Sequence, residues 1–205
     1  MKSKKNLLEQ LNSLPHFSKS TIYQLGSQLG LKNSTVNTYI SRFLKRKDIL
    51  PLRRGLYISA DFFAKNKSDI SYSFYLANII RTPSYVSSWT ALQYHNLTTE
   101  AIRSITSVTS KVTRGYEIKA GTFSYQSIKK ELFSDYSLVK GKFDFFVASP
   151  SKALCDLLYF RTHQFRSIRF DDVEKIVEEL RIDISEMSEE ERKSFYEKVR
   201  TYLHE

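Results

Sequence analysis

Apolar residues recur at helical spacing in two neighbouring segments near the N-terminus. Ile22, Leu25 and Leu29 lie on one face of a predicted helix that Gly30 ends, and a second helical pattern runs over residues 36–44. The connection between the two predicted helices is so short that the second must cross the first at a sharp angle. This spacing predicts a helix-turn-helix.

Glycine and hydroxyl residues mark the ends of these two helices. Gly26 suits a close helix approach, and Gly30 suits a left-handed turn. The hydroxyls in residues 18–21 offer an N-cap for the first helix. Ser34 is expected to cap the second helix, because its hydroxyl can accept a backbone N–H that the first turn leaves unpaired.

Two flanking patterns extend the helix-turn-helix. A leucine stripe predicts a preceding helix over residues 3–14, which Pro15 ends. The segment DILPLRRGLYI (48–58) alternates apolar residues around Arg53-Arg54-Gly55 and predicts a two-stranded wing with a basic tip. Residues 1–61 are therefore predicted to form a winged helix-turn-helix domain. A helical hairpin followed by a β-hairpin with a solvated charged face is the alternative.

Residues 62–205 are predicted to form a second domain of mixed α+β class with C-terminal helices. The polar stretch that opens it could be a linker or a short helix, and apolar helical patterns follow at residues 70–80 and 88–94. Runs rich in β-branched and aromatic residues predict strands at 104–110, 121–128 and 143–149. We expect their aromatic rings to pack in a core rather than to form a stacking platform for single-stranded nucleic acid.

The C-terminal part of the sequence has three helical patterns. Pro150 stands in the first turn of the first, KALCDLLYF, where proline is tolerated. Two further helices are predicted at about 170–180 and 188–203. Asp171 or Asp172 is expected to cap the earlier one, and Ser188 with Glu191 to form a capping box at the later one.

Charge is distributed unevenly along the 205 residues, of which 41% are hydrophobic. Residues 1–60 hold 11 Lys or Arg against 2 acids, a net charge of +9, and residues 61–170 hold 15 against 8, a net charge of +7. Residues 171–205 hold 6 against 12, a net charge of −6. A small domain at +9 indicates a polyanionic partner whose counterions are released on binding.

The outward face of the second helix carries the groups that a DNA-reading helix needs. Short hydrogen-bonding side chains lie toward its N-terminal half, where base edges are read, and cations lie toward its C-terminal half, where phosphates are held. Asn37 could bridge N6 and N7 of adenine. With the wing tip, the candidate DNA-contacting residues are Ser34, Thr35, Asn37, Thr38, Ser41, Arg42, Lys45, Arg46, Arg53 and Arg54.

Enzyme, metal and membrane functions find little support. Ser87, Ser88, His95 and Asp156 suggest a hydrolase triad, but no G-x-S-x-G motif occurs, and the two serines suit a helix cap better. We expect no catalysis, metal or cofactor, because the single Cys155 suits a buried thiol and the histidines, including His204, are isolated. No apolar run approaches the roughly 18 residues of a membrane span, and a cytoplasmic location is expected.

Three blocks of the sequence resemble the AbiEi family of bacterial proteins. They are LRRGLYI (52–58), PSYVSSWTALQYHNL (83–97) and ASPSKALCDLLYF (148–160), in the family's order and spacing. The family comprises the antitoxin and autorepressor half of type IV toxin–antitoxin, or abortive-infection, systems. The resemblance implies an N-terminal domain that binds the operator of its own operon and a second domain that counteracts a nucleotidyltransferase-like toxin. It stops short of the acidic residues 171–205.

The sequence thus supports two functional hypotheses. The first is a sequence-specific repressor that binds duplex DNA and acts as an antitoxin. The second is a winged-helix module that binds protein or RNA and has no repressor activity. They differ in what the cations Lys45, Arg46, Arg53 and Arg54 contact.

Overall fold

A computed structural model describes residues 2–100, 103–166 and 168–203. Its elements are of mixed α+β class. The chain divides into two compact units, one running up to Tyr72 together with Glu117–Gly121, the other comprising Ser73–Tyr116 and the residues from Thr122 onward. The sequence placed a boundary after residue 61, and the division of the units falls later, within the helix Ile70–Ile80.

The first unit combines helices with a small antiparallel sheet. Its strands are paired in the order β1-β3-β2, with Phe17 opposite Tyr57 and Leu50 opposite Ile58. In chain order the elements are α1 (Lys2–Leu11), β1 (Phe17–Ser18), α2 (Lys19–Gln28), α3 (Asn33–Arg46), β2 (Ile49–Arg53), β3 (Leu56–Ser59) and α4 (Ala60–Asn66). The polar stretch after residue 60, for which the sequence allowed either a linker or a short helix, is therefore a helix.

The core of the first unit is formed by apolar residues from its first three helices and from β1 and β2. They are Leu7, Leu11, Phe17, Ile22, Val36, Ile40, Phe43 and Ile49. Full burial of each such side chain contributes about 1.5–3 kcal/mol. The helix predicted over residues 3–14 already ends at Leu11, because residues 12–14 turn before Pro15.

A mixed six-stranded sheet in the order β6-β7-β5-β4-β9-β8 belongs to the second unit except for the end of β6 and the first residue of β7, which fall within Glu117–Gly121. β4 pairs with β9 and β5 with β7 in parallel, whereas β4 with β5 and β8 with β9 are antiparallel. The elements are α5 (Ile70–Ile80), β4 (Ser84–Val86), α6 (Ser88–Tyr94), β5 (Ile105–Thr109), β6 (Arg114–Ile118), β7 (Gly121–Ser127), β8 (Tyr136–Val139), β9 (Phe145–Ala148), α7 (Pro150–Arg161), α8 (Val173–Glu179) and α9 (Glu189–Leu203).

The predicted helices and strands of the second unit are all present, but two of the predicted caps are wrong. Asp172 precedes α8 without a side-chain cap bond, and its carboxylate instead accepts the N–H of Arg169 at 2.9 Å. The Ser188 hydroxyl does accept the N–H of Glu191 at 3.2 Å. The Glu191 carboxylate, however, accepts the N–H of Ser151 at 2.8 Å and so binds the first turn of α7.

Most aromatic side chains of the predicted strands lie in the interior of the second unit, as expected, but Phe146 is 39% exposed. Phe123, Tyr125 and Phe145 are buried, and Phe145 packs edge-on against Phe74 with ring centroids 5.2 Å apart. No helix in the described part of the chain combines the length and the apolar character that crossing a membrane requires.

Candidate nucleic-acid interface

Helix α2 is fixed at its N-terminus by two hydroxyl groups, as predicted. Ser18 is the N-cap, and its hydroxyl accepts the N–H of Thr21 at 3.1 Å. The Thr21 hydroxyl accepts the N–H of Ser18 at 3.3 Å, so both backbone donors are paired. The N–H of Lys19 donates to the carbonyl of Gly55 at 3.0 Å. The turn between β2 and β3 therefore lies beside the start of α2.

The connection between α2 and α3 depends on the two glycines that the sequence singled out. Gly30 has a φ of +69°, which side chains with a Cβ rarely adopt. A Cβ on Gly26 would lie 2.5 Å from Cγ2 of Val36, well inside van der Waals contact. Glycine at this position therefore permits α2 and α3 to pack closely, and both predictions are confirmed.

The prediction that Ser34 caps α3 is wrong. The N-cap position, where the backbone is extended, is occupied by Lys32, which makes no side-chain cap bond. Helix α3 begins at Asn33, so Ser34 lies inside its first turn, and its carbonyl accepts the Thr38 hydroxyl at 3.1 Å. The Ser34 side chain is exposed and remains a candidate contact.

The outward face of α3 is open to solvent along its whole length. Val36, Ile40 and Phe43 are buried beneath it. Of the ten candidate residues only Thr35 is half-buried, and the others are exposed: Ser34, Asn37, Thr38, Ser41, Arg42, Lys45, Arg46, Arg53 and Arg54. The structure thus brings eight candidates together on α3 and places Arg53 and Arg54 on a different element, at the turn after β2.

Internal hydrogen bonds determine which groups this face offers. The hydroxyls of Thr38 and Ser41 donate to the carbonyls four residues earlier, each at 3.1 Å, which leaves their oxygen lone pairs as acceptors. The Tyr23 hydroxyl donates to Oδ1 of Asn37 at 2.6 Å, which leaves the amide N–H groups of Asn37 as donors. Lys19 Nζ lies 5.5 Å from the centre of the Tyr23 ring.

Tyr23 is a functional candidate that the sequence did not reveal. Its helical position beside Ile22 predicts only that it lies near the edge of the buried face of α2. The packing of α2 against α3 brings its hydroxyl to Asn37, fourteen residues further along the chain. The sequence shows only that a side chain with a polar hydroxyl lies on the flank of α2. Its partner on α3 could not be identified without knowing how α2 and α3 pack against each other.

The cations at the C-terminal end of α3 are largely unneutralised. Arg46 Nε lies 3.6 Å from Asp48 Oδ2, and the Arg46 side chain is 65% exposed. Within the described residues, Arg42, Lys45, Arg53 and Arg54 have no acidic partner at ion-pair distance. Exposed cations without internal partners are free to contact phosphates.

The side chains that suggested a hydrolase triad do not form one hydrogen-bonded chain, because Ser87 binds Asp156 directly and His95 binds elsewhere. Ser87 precedes α6 but makes no cap bond, so that prediction is wrong, and its hydroxyl donates to Asp156 Oδ2 at 2.7 Å. His95 Nε2 lies 2.9 Å from the carbonyl oxygen of Ala148. The serine and the histidine are therefore engaged separately.

Asp156 is the centre of a buried polar cluster. Lys152 Nζ lies 2.7 Å from Asp156 Oδ1, and both side chains are fully buried. The Tyr85 hydroxyl donates to Asp156 Oδ2 at 3.0 Å, and Lys152 Nζ also donates to the carbonyl of Leu132 at 2.7 Å. Burial raises the pKa of Asp156, and the Lys152 ammonium with the hydroxyl donors opposes that rise.

Cys155 and the histidines form no metal site in the part of the chain described. There, no three His, Cys, Asp or Glu side chains are grouped closely enough to hold a metal ion. Cys155 is fully buried, and burial raises the pKa of its thiol. His204 lies outside the described residues.

Comparison with known proteins gives no match: no protein-family model and no curated protein matches the chain. The resemblance to the AbiEi family therefore stays a prediction that rests on the three sequence blocks.

Proposed function

We propose that the first unit is a winged helix-turn-helix and that α3 reads duplex DNA. The order of its helices and strands, with β1 paired to β3 and β3 to β2, supports this assignment. In such a domain α3 enters the major groove, and the basic turn Arg53-Arg54 contacts the backbone as a wing.

The observation that carries the proposal is the composition of the exposed face of α3. Uncommitted donors and acceptors lie at Asn37, Thr38 and Ser41, and exposed cations follow at Arg42 and Lys45. Base edges are recognised by such short polar groups, and phosphates by such cations. A face that is merely solvated needs no such order along the helix.

The biological role that we propose is that of a repressor and antitoxin. The chain would bind the operator of its own operon and counteract a nucleotidyltransferase-like toxin of a type IV system. The sequence blocks at 52–58, 83–97 and 148–160 support this role through their resemblance to the AbiEi family. The separate hydrogen bonds of Ser87 and His95 agree with a non-enzymatic role.

The salt dependence of DNA binding tests the proposal. If α3 and the β2–β3 turn neutralise roughly 4 to 6 phosphates, log K should fall against log salt with a slope of about −4 to −5. Arg54→Ala should weaken binding to all duplex sequences alike and reduce that slope by about one. Fluorescence anisotropy with labelled duplexes at several salt concentrations measures both quantities.

Arg192→Ala is the matched control, because Arg192 is exposed on α9 and should leave the slope unchanged. A slope near zero on duplex DNA would contradict the proposal. Strong binding to RNA with no binding to duplex DNA would favour the RNA-binding alternative. If the chain binds neither nucleic acid, the protein-interaction alternative is favoured.

A further inference from the structure

A cavity of about 490 Å³ lies in the second unit, between the C-terminal end of α5 and the antiparallel strands β8 and β9. Its walls are mostly apolar and aromatic, and they include Tyr75, Ile79, Pro83, Tyr136, Leu138 and Phe146. Small-molecule sites in proteins have this size and character, with a few polar groups that orient the ligand. The function proposed for α3 makes no use of this cavity.

The side chains that β8 and β9 contribute to the cavity are accessible and lie next to one another. Leu138 stands opposite Phe146 on the paired strands, and the two are 43% and 39% exposed. The ring of Phe146 packs against that of Tyr136 with centroids 5.7 Å apart and ring planes at 88°. Tyr136 and Phe146 therefore form two adjacent aromatic walls at a right angle. Exposed apolar side chains that adjoin in this way mark a ligand-binding surface.

Asn78 of α5 connects the two strands beside the cavity. β4 and β9 are paired at Val86 and Val147. Toward the cavity the Asn78 side chain bridges them, because its Nδ2 donates to the carbonyl of Ser84 at 3.2 Å and its Oδ1 accepts the N–H of Phe146 at 2.7 Å. These hydrogen bonds hold the backbone of Phe146 in place, so the aromatic walls are fixed before a ligand binds.

Asp144 supplies the charge of the cavity. It is the only charged residue among the described residues that line the cavity. Its Oδ1 accepts the N–H of Gly141 at 3.0 Å, which holds the carboxylate in the turn between β8 and β9. The neighbouring Lys142 points elsewhere, with its Nζ 5.2 Å from the centre of the Phe143 ring. Within the described part of the chain, Asp144 has no cation at ion-pair distance, so the lining is negative in a chain of net charge +10.

We infer that this cavity binds a small organic cation, in which an ammonium group is joined to an apolar or aromatic body. The rings of Tyr136 and Phe146 attract the cation through the negative potential of their faces, and the Asp144 carboxylate attracts it by its charge. Leu138 and Ile79 contact the apolar body. An anion of the same shape is disfavoured, because Asp144 repels it and the lining offers no cation. This binding site is independent of the DNA-binding surface proposed for α3.

Titration of the full-length protein with four matched compounds tests this inference. Benzyltrimethylammonium carries both the cation and the ring, and we expect it to bind saturably in isothermal titration calorimetry and in NMR chemical-shift titrations. Benzyl alcohol keeps the ring without the charge and should bind about tenfold more weakly, because it loses both the cation–π and the carboxylate attraction. Benzoate, which reverses the charge, and tetramethylammonium, which lacks the ring, should also bind more weakly than benzyltrimethylammonium.

Two variants test the assigned roles. Asp144→Asn removes the charge but keeps an oxygen for the N–H of Gly141, and it should weaken binding of benzyltrimethylammonium about fivefold while leaving benzyl alcohol unaffected. Phe146→Leu keeps apolar surface without the ring and should weaken the cation about threefold. Asp171→Asn, at an exposed acid outside the cavity, is the control and should have no effect.

Circular dichroism verifies that each variant is folded. The inference is overturned if benzyltrimethylammonium does not bind, if benzyl alcohol or benzoate binds equally well, or if the folded Asp144→Asn variant keeps the wild-type affinity for the cation.

Discussion

At the scale of single residues, a hydroxyl outside α3 orients the Asn37 amide, which is one of the proposed base-reading groups. Oδ1 of Asn37 accepts the Tyr23 hydroxyl at 2.6 Å, so the amide presents its N–H groups outward. Bidentate recognition of adenine needs both the oxygen and the nitrogen of an asparagine amide. If α3 reads bases as proposed, the Tyr23 hydroxyl occupies one of the two lone pairs of Oδ1 and competes with the adenine contact that the sequence suggested. Donation by the amide N–H groups to base acceptors, such as O6 and N7 of guanine, should then be favoured.

Tyr23→Phe should therefore change base preference more than affinity. Removal of the hydroxyl frees Oδ1 of Asn37, and the share of adenine at the contacted position should rise about tenfold, since a good bidentate contact is worth about 1–3 kcal/mol. Selection of binding sites from a random duplex library, with wild type and variant in parallel, measures this share.

Asn37→Ala provides the comparison, because it should lose base preference at the same position while binding to random duplexes changes little. Identical base preferences for wild type and Tyr23→Phe would show that Tyr23 does not orient Asn37. If neither protein binds any duplex, the DNA-binding proposal itself fails.

At the scale of elements, local patterns predicted the helices well and their ends less well. The apolar spacing of α2 and α3 reflects the face that each helix buries, and this information lies within one element. The predicted cap of α3 at Ser34 was wrong because the N-cap position is two residues earlier. Lys32, which has no capping side chain, occupies it with extended backbone. The role of Glu191 was wrong because its partner, Ser151, lies 40 residues away.

Among the strands that were not predicted, β6 and β8 are the two edges of the six-stranded sheet. β6 (RGYEI) carries Arg114, Gly115 and Glu117, and β8 contains only four residues. Charged residues and short length are typical of edge strands, which must not pair with other chains. The charged residues and short length that keep an edge strand from pairing with other chains also weaken the apolar pattern by which a strand is predicted.

Helix α7 contains a pair of opposite charges that is visible in the sequence, but its environment is known only from the packing of the helix. Lys152 and Asp156 stand four residues apart in an otherwise apolar helix, a spacing at which side chains meet. On an exposed helix such a pair contributes little. Here both charges are buried, so each depends on the other for its stability.

Lys152→Met should consequently destabilise the protein by about 3–5 kcal/mol, because it leaves the Asp156 carboxylate buried without its cation. The double variant Lys152→Met/Asp156→Leu should recover much of the loss. Urea unfolding of the full chain measures both. Lys65→Met removes the cation of an exposed pair with the same spacing, whose Nζ–Oδ2 distance is 2.8 Å, and should cost less than about 1 kcal/mol. Equal costs for Lys152→Met and Lys65→Met would contradict the assigned role of burial.

At the scale of the whole molecule, opposite charges are segregated along the chain. The first 60 residues carry +9 and the last 35 carry −6. In the acidic part, α8 buries Val173 and Val177, whereas Glu178 and Glu179 are exposed. The apolar residues therefore belong to the core, and the acids remain available to a partner.

Reversal of four exposed acids should separate the two proposed activities. Phosphates repel an acidic surface, whereas a nucleotide-handling toxin would present a basic one. We expect the variant Glu178→Lys/Glu179→Lys/Glu189→Lys/Glu190→Lys to bind operator DNA at least as well as wild type but to lose rescue from a toxin encoded beside its gene. Circular dichroism verifies folding, and Glu131→Lys, an exposed acid outside this segment, is the control. Full rescue by the folded variant would assign the acidic surface a structural role only, because a direct contact between complementary charges could not survive four reversals.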